Sequence, residues 1–252
     1  MKTAADIAAR AVCMGVVEFR ARFEGVSVAA GAGATPDAAE MIAGVTGWLF
    51  DAGLGSALLP SETSILRQPP SSWDRKILEA LGDALLPESI GVLLGCLNLV
   101  TERPAYDGRY DAEPMLRLLP FLADSPFVTA PGMSPQEEWT AMAMGVHRAP
   151  DADVARRAGA ANLWWWRAVS ESLVRGGRLA RAKLTSILRD GAAKSQSLRI
   201  PYLQDDFEAF GKPYSALTPD EHRAVSAVAA ARVRAYRFVQ GDVAWDKVPM
   251  DS

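Results

Sequence analysis

Apolar residues recur at three- and four-residue spacing along most of the chain, which is the pattern of amphipathic helices. The clearest example lies near the N-terminus, where Ile7, Ala11, Met14 and Val17 fall on one helical face. Strand-like patterns are few. Residues 90–100 are apolar enough for either a buried strand or a buried helix, and residues 198–200 form at most a short extended piece. The pattern predicts an all-α fold of about seven helices with little or no sheet.

Several helix starts carry specific capping signals. Residues 134–137 and 218–221 each combine a hydroxyl cap, a proline at the first helical position and a glutamate at the third. Thr35 and Pro36 form a similar start, and Ser71 or Ser72 is expected to cap a helix over residues 73–86. These signals predict where helices begin more sharply than where they end.

A triplet of tryptophans, Trp164, Trp165 and Trp166, lies in a segment predicted to form one long helix over residues 151–188. At about 100° per residue the three indoles span about 200° of the helix circumference, so one core-facing stripe cannot bury them all. The three- and four-residue spacing predicts that the core stripe consists of Leu163, Trp166, Val169 and Leu173. Trp164 and Trp165 would then point toward flanking helices or outward.

This arrangement generates the main functional hypothesis. Tryptophan and arginine are the residues most enriched at interface hot spots, and arginines follow the triplet closely. The surface predicted to bind a partner protein or a second copy of the chain comprises Trp164, Trp165, Arg167, Arg175 and Arg178. The alternative is an enzyme or small-ligand-binding protein with a composite acidic and histidine site in a helical cleft. The residues favour binding over catalysis.

Composition narrows the class of protein. A chain of 252 residues with 49% hydrophobic and 23% charged residues has ordinary globular composition, and it fits a single domain, with two lobes joined near residues 123–134 as a variant. The net charge of −3 gives no overall attraction for nucleic acid or anionic membranes, so neither is an expected partner. The sequence contains neither a membrane-spanning run nor a signal-peptide pattern, which predicts a cytoplasmic protein. Cys13 and Cys96 lie in apolar runs and are expected to be buried free thiols.

Candidate chemistry is sparse, and the sequence predicts neither a metal nor a cofactor. His147 and His222 belong to no metal-binding array; His147 is expected to be exposed near a helix end and His222 partly exposed in a first helical turn. A composite site of His222, Glu221 and a distant carboxylate remains open. The glycine-rich residues 30–35 lack the third glycine of a dinucleotide fingerprint and the lysine of a P-loop. The acidic pairs 137–138 and 205–206 are expected to be solvated.

Three stretches resemble one bacterial family. They are residues 6–17, residues 60–85 with Trp73, and the C-terminal residues 245–252, which read Trp-Asp-Lys-Val-Pro-Met-Asp-Ser. Together they resemble the family known as domain of unknown function 4272. The resemblance implies a mostly helical bacterial domain, and it implies no activity or catalytic residue.

The C-terminal segment is predicted to be structural. Trp245 is too apolar to be left in water, so we expect it to dock on the N-terminal helix or its neighbours, despite the usual fraying of chain ends.

Overall fold

The computed structural model describes residues 1–30 and 35–250. Within them the chain forms ten α-helices: α1 (Ala4–Ala30), α2 (Pro36–Asp51), α3 (Pro60–Leu66), α4 (Arg75–Ala84), α5 (Leu86–Cys96), α6 (Ala112–Leu116), α7 (Pro135–Gly145), α8 (Asp151–Arg175), α9 (Arg181–Ser197) and α10 (Pro219–Gln240). The all-α prediction is confirmed, with more helices than expected. Every helix in the described ranges is too short or too polar to cross a membrane. Residues 31–34, part of the glycine-rich segment, and residues 251–252 lie outside the described residues.

One small antiparallel sheet interrupts the helices. Its strands, in spatial order, are β1 (Tyr202–Leu203), β2 (Asp206–Ala209) and β3 (Lys212–Pro213). Tyr202 pairs with Phe207 and Glu208 with Pro213. Both hairpin turns have two residues at positive φ: 50° and 62° at residues 204–205, 54° and 67° at residues 210–211. Such turns match the twist of the strands they join, and they bring Asp206 and Phe207 under α8.

Three of the four capping signals located a helix start correctly, those of α2, α7 and α10. Thr218 and Ser134 each accept the backbone N–H of the glutamate three residues later, and both glutamates reach back to the cap residue. The predicted cap of α4 is wrong: Asp74 holds that position and accepts the Ile77 N–H at 2.8 Å. An aspartate at this position is as good a cap as serine, and it leaves Trp73 before the helix, where the indole packs beneath Arg20.

The predicted single helix over residues 151–188 is also wrong, because the chain turns after Arg175. Gly177 adopts the left-handed φ of 69°, and the backbone N–H of Arg178 donates to the Leu173 carbonyl at 2.8 Å. This is the usual glycine-based ending of a helix. Arg178 therefore lies in the turn, and Arg181, Lys183 and Arg189 lie on a separate helix, α9.

The spatial order of the helices differs from their order along the chain. Helix α5 contacts both α1 and α10, and α10 contacts α8. Every residue of α5 except Pro87 is buried, which settles residues 90–96 as buried helix. A large hydrophobic cluster surrounds α1 and α5, and a smaller one joins Trp164 to α9 and the sheet. The predicted joint at residues 123–134 connects α6 and α7, which both contribute to the larger cluster.

The C-terminal segment is docked as expected. The Trp245 side chain is buried and meets the Phe238 ring edge-on at 5.4 Å between centroids. The Arg10 guanidinium of α1 lies over the same indole, 4.9 Å from its centroid. The prediction that Trp245 docks on the N-terminal helix or its neighbours is confirmed.

The core stripe of α8 is not the predicted one. Leu163, Trp166, Val169 and Leu173 are only partly buried, whereas the buried face consists of Val154, Ala158, Ala161, Trp164 and Ala168. This face also repeats every three or four residues, so spacing alone could not choose between the two. Helix α10 presents buried alanine and valine side chains to the bundle, and the alanine edge of α8 can approach such a surface closely.

We predict that Trp164→Ala destabilises the protein by about 3–5 kcal/mol, the usual cost of deleting a core aromatic side chain. Trp166→Ala is the matched control and should cost clearly less, because that indole is only partly buried. Urea unfolding of both variants, followed by circular dichroism, measures the difference. A larger loss for Trp166→Ala would contradict the packing described here.

Candidate functional site

The tryptophans of α8 are mostly internal. Trp164 is 2% exposed; its ring stacks on Tyr106 at 4.7 Å and meets the edge of Phe207 at 5.2 Å. Trp165 is partly buried and packs against both hydrophobic clusters, with its indole N–H buried and without a hydrogen-bond partner among the described residues. The triplet thus joins parts of one chain, which is how its apolar area is covered.

Arg167 is fully buried beside these rings. Its guanidinium donates two hydrogen bonds to the Asp206 carboxylate, both at 2.7 Å, and a third to Glu171 at 3.1 Å. The same guanidinium lies 4.4 Å from the centroid of the Tyr214 ring. The expectation that residues 205–206 are solvated is therefore wrong for Asp206, which is recruited into the core because a buried guanidinium needs a carboxylate partner.

Glu171 is the centre of the surrounding ion pairs. Besides Arg167, it accepts hydrogen bonds from Arg175 at 3.0 Å and from Arg181 of α9 at 2.7 Å. Burial alone would raise the pKa of the Glu171 carboxyl, but the hydrogen bonds from Arg181 and the charge of Arg167 outweigh it and hold the pKa at about 2. This carboxylate links α8 to α9 across the glycine turn.

The predicted partner-binding surface is therefore only partly a surface. Trp164 and Arg167 are core residues, and their assignment to an exposed interface is wrong, because ring stacking and ion pairing inside the chain already cover them. Arg175 is held by Glu171 and by the Leu217 carbonyl. Arg178 is exposed and forms no ion pair with the described residues. Partner binding through Trp165, Arg175 and Arg178 stays a prediction.

A polar network adjoins this cluster at the start of α10. The Ser172 hydroxyl lies 3.1 Å from Nε2 of His222, and the Tyr214 hydroxyl lies 3.1 Å from Nδ1 of the same ring. Burial, followed by the nearby charge of Arg175, lowers the pKa of His222. The imidazole is therefore neutral at pH 7, and both of its nitrogens are engaged.

The sequence left open a composite site of His222, Glu221 and a distant carboxylate. In the structure, the hydroxyls of Ser172 and Tyr214 contact His222 instead. Glu221 turns away to pair with Lys212 at 2.8 Å and to cap its own helix through Thr218. Its carboxylate is thus occupied, and no hydrogen bond joins Glu221 to His222 among the described residues. His222 is partly exposed and His147 is exposed beyond the end of α7, both as predicted. Among the described residues no three histidine, cysteine, aspartate or glutamate side chains are placed to hold a metal ion.

A second feature was not predicted from the sequence. Two adjoining cavities of ≈ 500 and ≈ 200 Å³ lie between α4, α5, α10 and the C-terminal segment. They share four lining residues: Ala84, Leu86, Arg234 and Trp245. We call the two cavities together the tail groove. Its larger part is walled mainly by apolar side chains of α3 and α4, which include Ile65, Ile77 and Leu81.

The charges of the tail groove differ in how they are paired. Arg10 and Glu62 are buried and neutralise each other through two hydrogen bonds of 2.8 and 2.6 Å. Nε of Arg10 is buried with no hydrogen-bond partner among the described residues. Arg234 borders both cavities, is exposed, and forms no ion pair with any described residue, while exposed Asp246 borders the larger cavity alone.

The apolar face of α4 is the one feature of the sequence that pointed to the tail groove. Ile77, Leu78 and Leu81 form an apolar face on α4 that predicts burial, yet all three remain partly exposed. Two of them, Ile77 and Leu81, line the groove. The sequence could not indicate that Arg234 and Trp245 would close the opposite side, because they are more than 150 residues away along the chain.

Comparisons of the chain with protein-family models, curated proteins and solved structures find no match. The resemblance to domain of unknown function 4272 therefore stays a prediction, and function must be argued from this chain's own residues.

We predict that acid weakens the fold through Glu171. Its pKa lies below the ordinary value of 4.5, so its stabilising effect is fully present above about pH 4.5 and is lost as the pH falls toward about 2. Glu171→Gln should remove about 3–5 kcal/mol at pH 7 and flatten the pH dependence of the free energy of unfolding in that window. Denaturant melts at several pH values measure both effects.

The control for this prediction is Glu79→Gln, which disrupts an exposed ion pair with Arg75 and should cost under about 1 kcal/mol. If Glu171→Gln cost no more than this control, the buried cluster would not stabilise the fold as argued.

Proposed function

We propose that the protein binds a small amphipathic anion, an apolar body carrying a carboxylate or sulfonate, in the tail groove. The observation that carries the proposal is the exposed Arg234, free of any ion pair with the described residues, at the junction of two largely apolar cavities. The protein would then act as a small-ligand-binding protein.

The size and lining of the tail groove support a small molecule. The larger cavity, at ≈ 500 Å³, lies within the usual range of ligand pockets, about 300–1,000 Å³. Side chains from α3, α4 and the C-terminal segment line it, and Trp245 offers a rigid indole against which an apolar body can pack. The Arg10–Glu62 pair beneath Trp245 keeps that indole in place without adding net charge.

The charges at the groove favour an anion over a cation. Arg234 borders both cavities, so a ligand that fills either one lies beside this arginine. Asp246 borders only the larger cavity. A charge-assisted hydrogen bond to a guanidinium contributes about 1.5–3 kcal/mol, or roughly a tenfold to hundredfold gain in affinity.

The partner-binding hypothesis receives less support. Two of its five residues are inside the core and Trp165 is half-buried, so the exposed part consists of Arg175 and Arg178. Interface hot spots are instead centred on well-packed aromatic side chains.

We predict that 1-anilinonaphthalene-8-sulfonate binds the native protein saturably and that dodecanoate displaces it. Arg234→Ala should weaken binding of this dye about tenfold or more, and Asp246→Asn should strengthen it. N-phenyl-1-naphthylamine, the same aromatic body without the sulfonate, should bind the wild type and Arg234→Ala equally. Fluorescence titrations measure the dissociation constants.

The matched control is Arg223→Ala. Arg223 is another exposed arginine of α10, it pairs with Asp220 at 2.9 Å, and it does not line the groove. Equal affinity of the sulfonate dye for wild type and Arg234→Ala, or a loss equally large in Arg223→Ala, would refute the proposal. Cooperative thermal unfolding of each variant ensures that the dye reports on native protein.

A further inference from the structure

An exposed serine and a neutral histidine meet where α8 ends and α10 begins. Ser172 lies in the last turn of α8, and its Oγ is 3.1 Å from Nε2 of His222. On the far side of the imidazole, Nδ1 is 3.1 Å from the Tyr214 hydroxyl. The base is thus in hydrogen-bond reach of both the nucleophile and an orienting group, which is the arrangement that activates a serine hydroxyl.

The hydrogen bonds of this network permit a reactive tautomer. The Ser172 hydroxyl has one proton, which it can donate to the Ala168 carbonyl at 3.1 Å or to Nε2 of His222. When it donates to Nε2, the Nδ1–H donates to the Tyr214 oxygen, and the Tyr214 hydroxyl can donate to Ser226 at 3.4 Å. Every group is then satisfied, so the reactive tautomer needs no rearrangement.

The surrounding charges suit a general base. His222 is partly buried, and Arg167, Glu171 and Arg175 are the charged groups whose fields reach it. Burial first, and then the positive charges of Arg175 and Arg167 against the negative charge of Glu171, lower the pKa of His222, so the imidazole is neutral at pH 7 and free to accept a proton.

We propose that Ser172 is a nucleophile toward activated carboxylic esters, with His222 as its general base and Tyr214 as a positioning residue. The Ser172 oxygen bonds to the ester carbonyl carbon while its proton passes to Nε2 of His222. The ester C–O bond then breaks, and the leaving alcohol takes that proton. Water attacks the acyl group in the same way, giving its proton to Nε2, which returns it to Ser172 as the acid leaves.

This activity is independent of ligand binding in the tail groove, because none of the groove-lining residues takes part in the network. Success or failure of one proposal therefore leaves the other standing on its own test.

The experiment is covalent labelling of the full chain with a fluorophosphonate probe, followed by peptide mass spectrometry. In this reaction the Ser172 oxygen bonds to phosphorus, fluoride leaves, and His222 takes the proton. We expect the label on Ser172, no label at that position in Ser172→Ala, and a rate roughly 10²-fold lower in His222→Gln. Turnover of p-nitrophenyl acetate should fall in the same two variants.

Ser197→Ala is the matched control. Ser197 is also exposed and also donates to a helix carbonyl, that of Lys194 at 2.7 Å, but no histidine accompanies it. Its removal should change neither labelling nor turnover. Absence of label on Ser172, or a labelling rate unchanged in His222→Gln while circular dichroism reports a native fold, would overturn the proposal.

Discussion

The architecture depends on the burial of guanidinium groups, each of which must meet a carboxylate inside the protein. In the part of the chain that the structure describes, four arginine side chains are at most 5% exposed, and each donates to a carboxylate and lies over an aromatic ring. The four sets are Arg10 with Glu62 and Trp245, Arg20 with Glu24 and Trp73, Arg167 with Glu171, Asp206 and Tyr214, and Arg232 with Glu88, Tyr106 and Tyr110. Removing one partner from such a set leaves an uncompensated buried charge, at a cost of several kcal/mol.

These sets matter because they join segments that are distant in sequence. Arg232 connects α10 to α5 through Glu88 and also donates to the carbonyls of Pro104 and Gly108. Arg20 donates to the carbonyls of Leu66 and Pro69, which fixes the end of α3 against α1. Helix α5 packs between α1 and α10 within the larger hydrophobic cluster, but apolar contacts are non-directional and permit helices to slide and rotate. Directed hydrogen bonds from a rigid guanidinium restrict both.

Both proposed sites lie at the edges of these buried sets. The tail groove is built over Arg10 and Trp245, and the serine–histidine network adjoins Arg167 and Tyr214. Helix α10 contributes to each, through Arg234 and His222. At 1.5 Å per residue these two positions are about 18 Å apart along the helix axis. Each site thus has a rigid side supplied by the core and an exposed side chain that can respond to a ligand.

The sequence by itself determined the all-α class and the starts of α2, α7 and α10, because capping is a local interaction between residues three positions apart. It also indicated that Trp245 would be docked. Tertiary structure decided which face of α8 is buried, since two stripes of equal spacing were available and only contact with α10 distinguishes them. Tertiary contacts also decided that Asp206, and not its neighbour Asp205, pairs with Arg167. They placed Ser172 beside His222 and Arg234 beside Trp245. Those pairings depend on where separate helices meet, which no local pattern in the chain encodes.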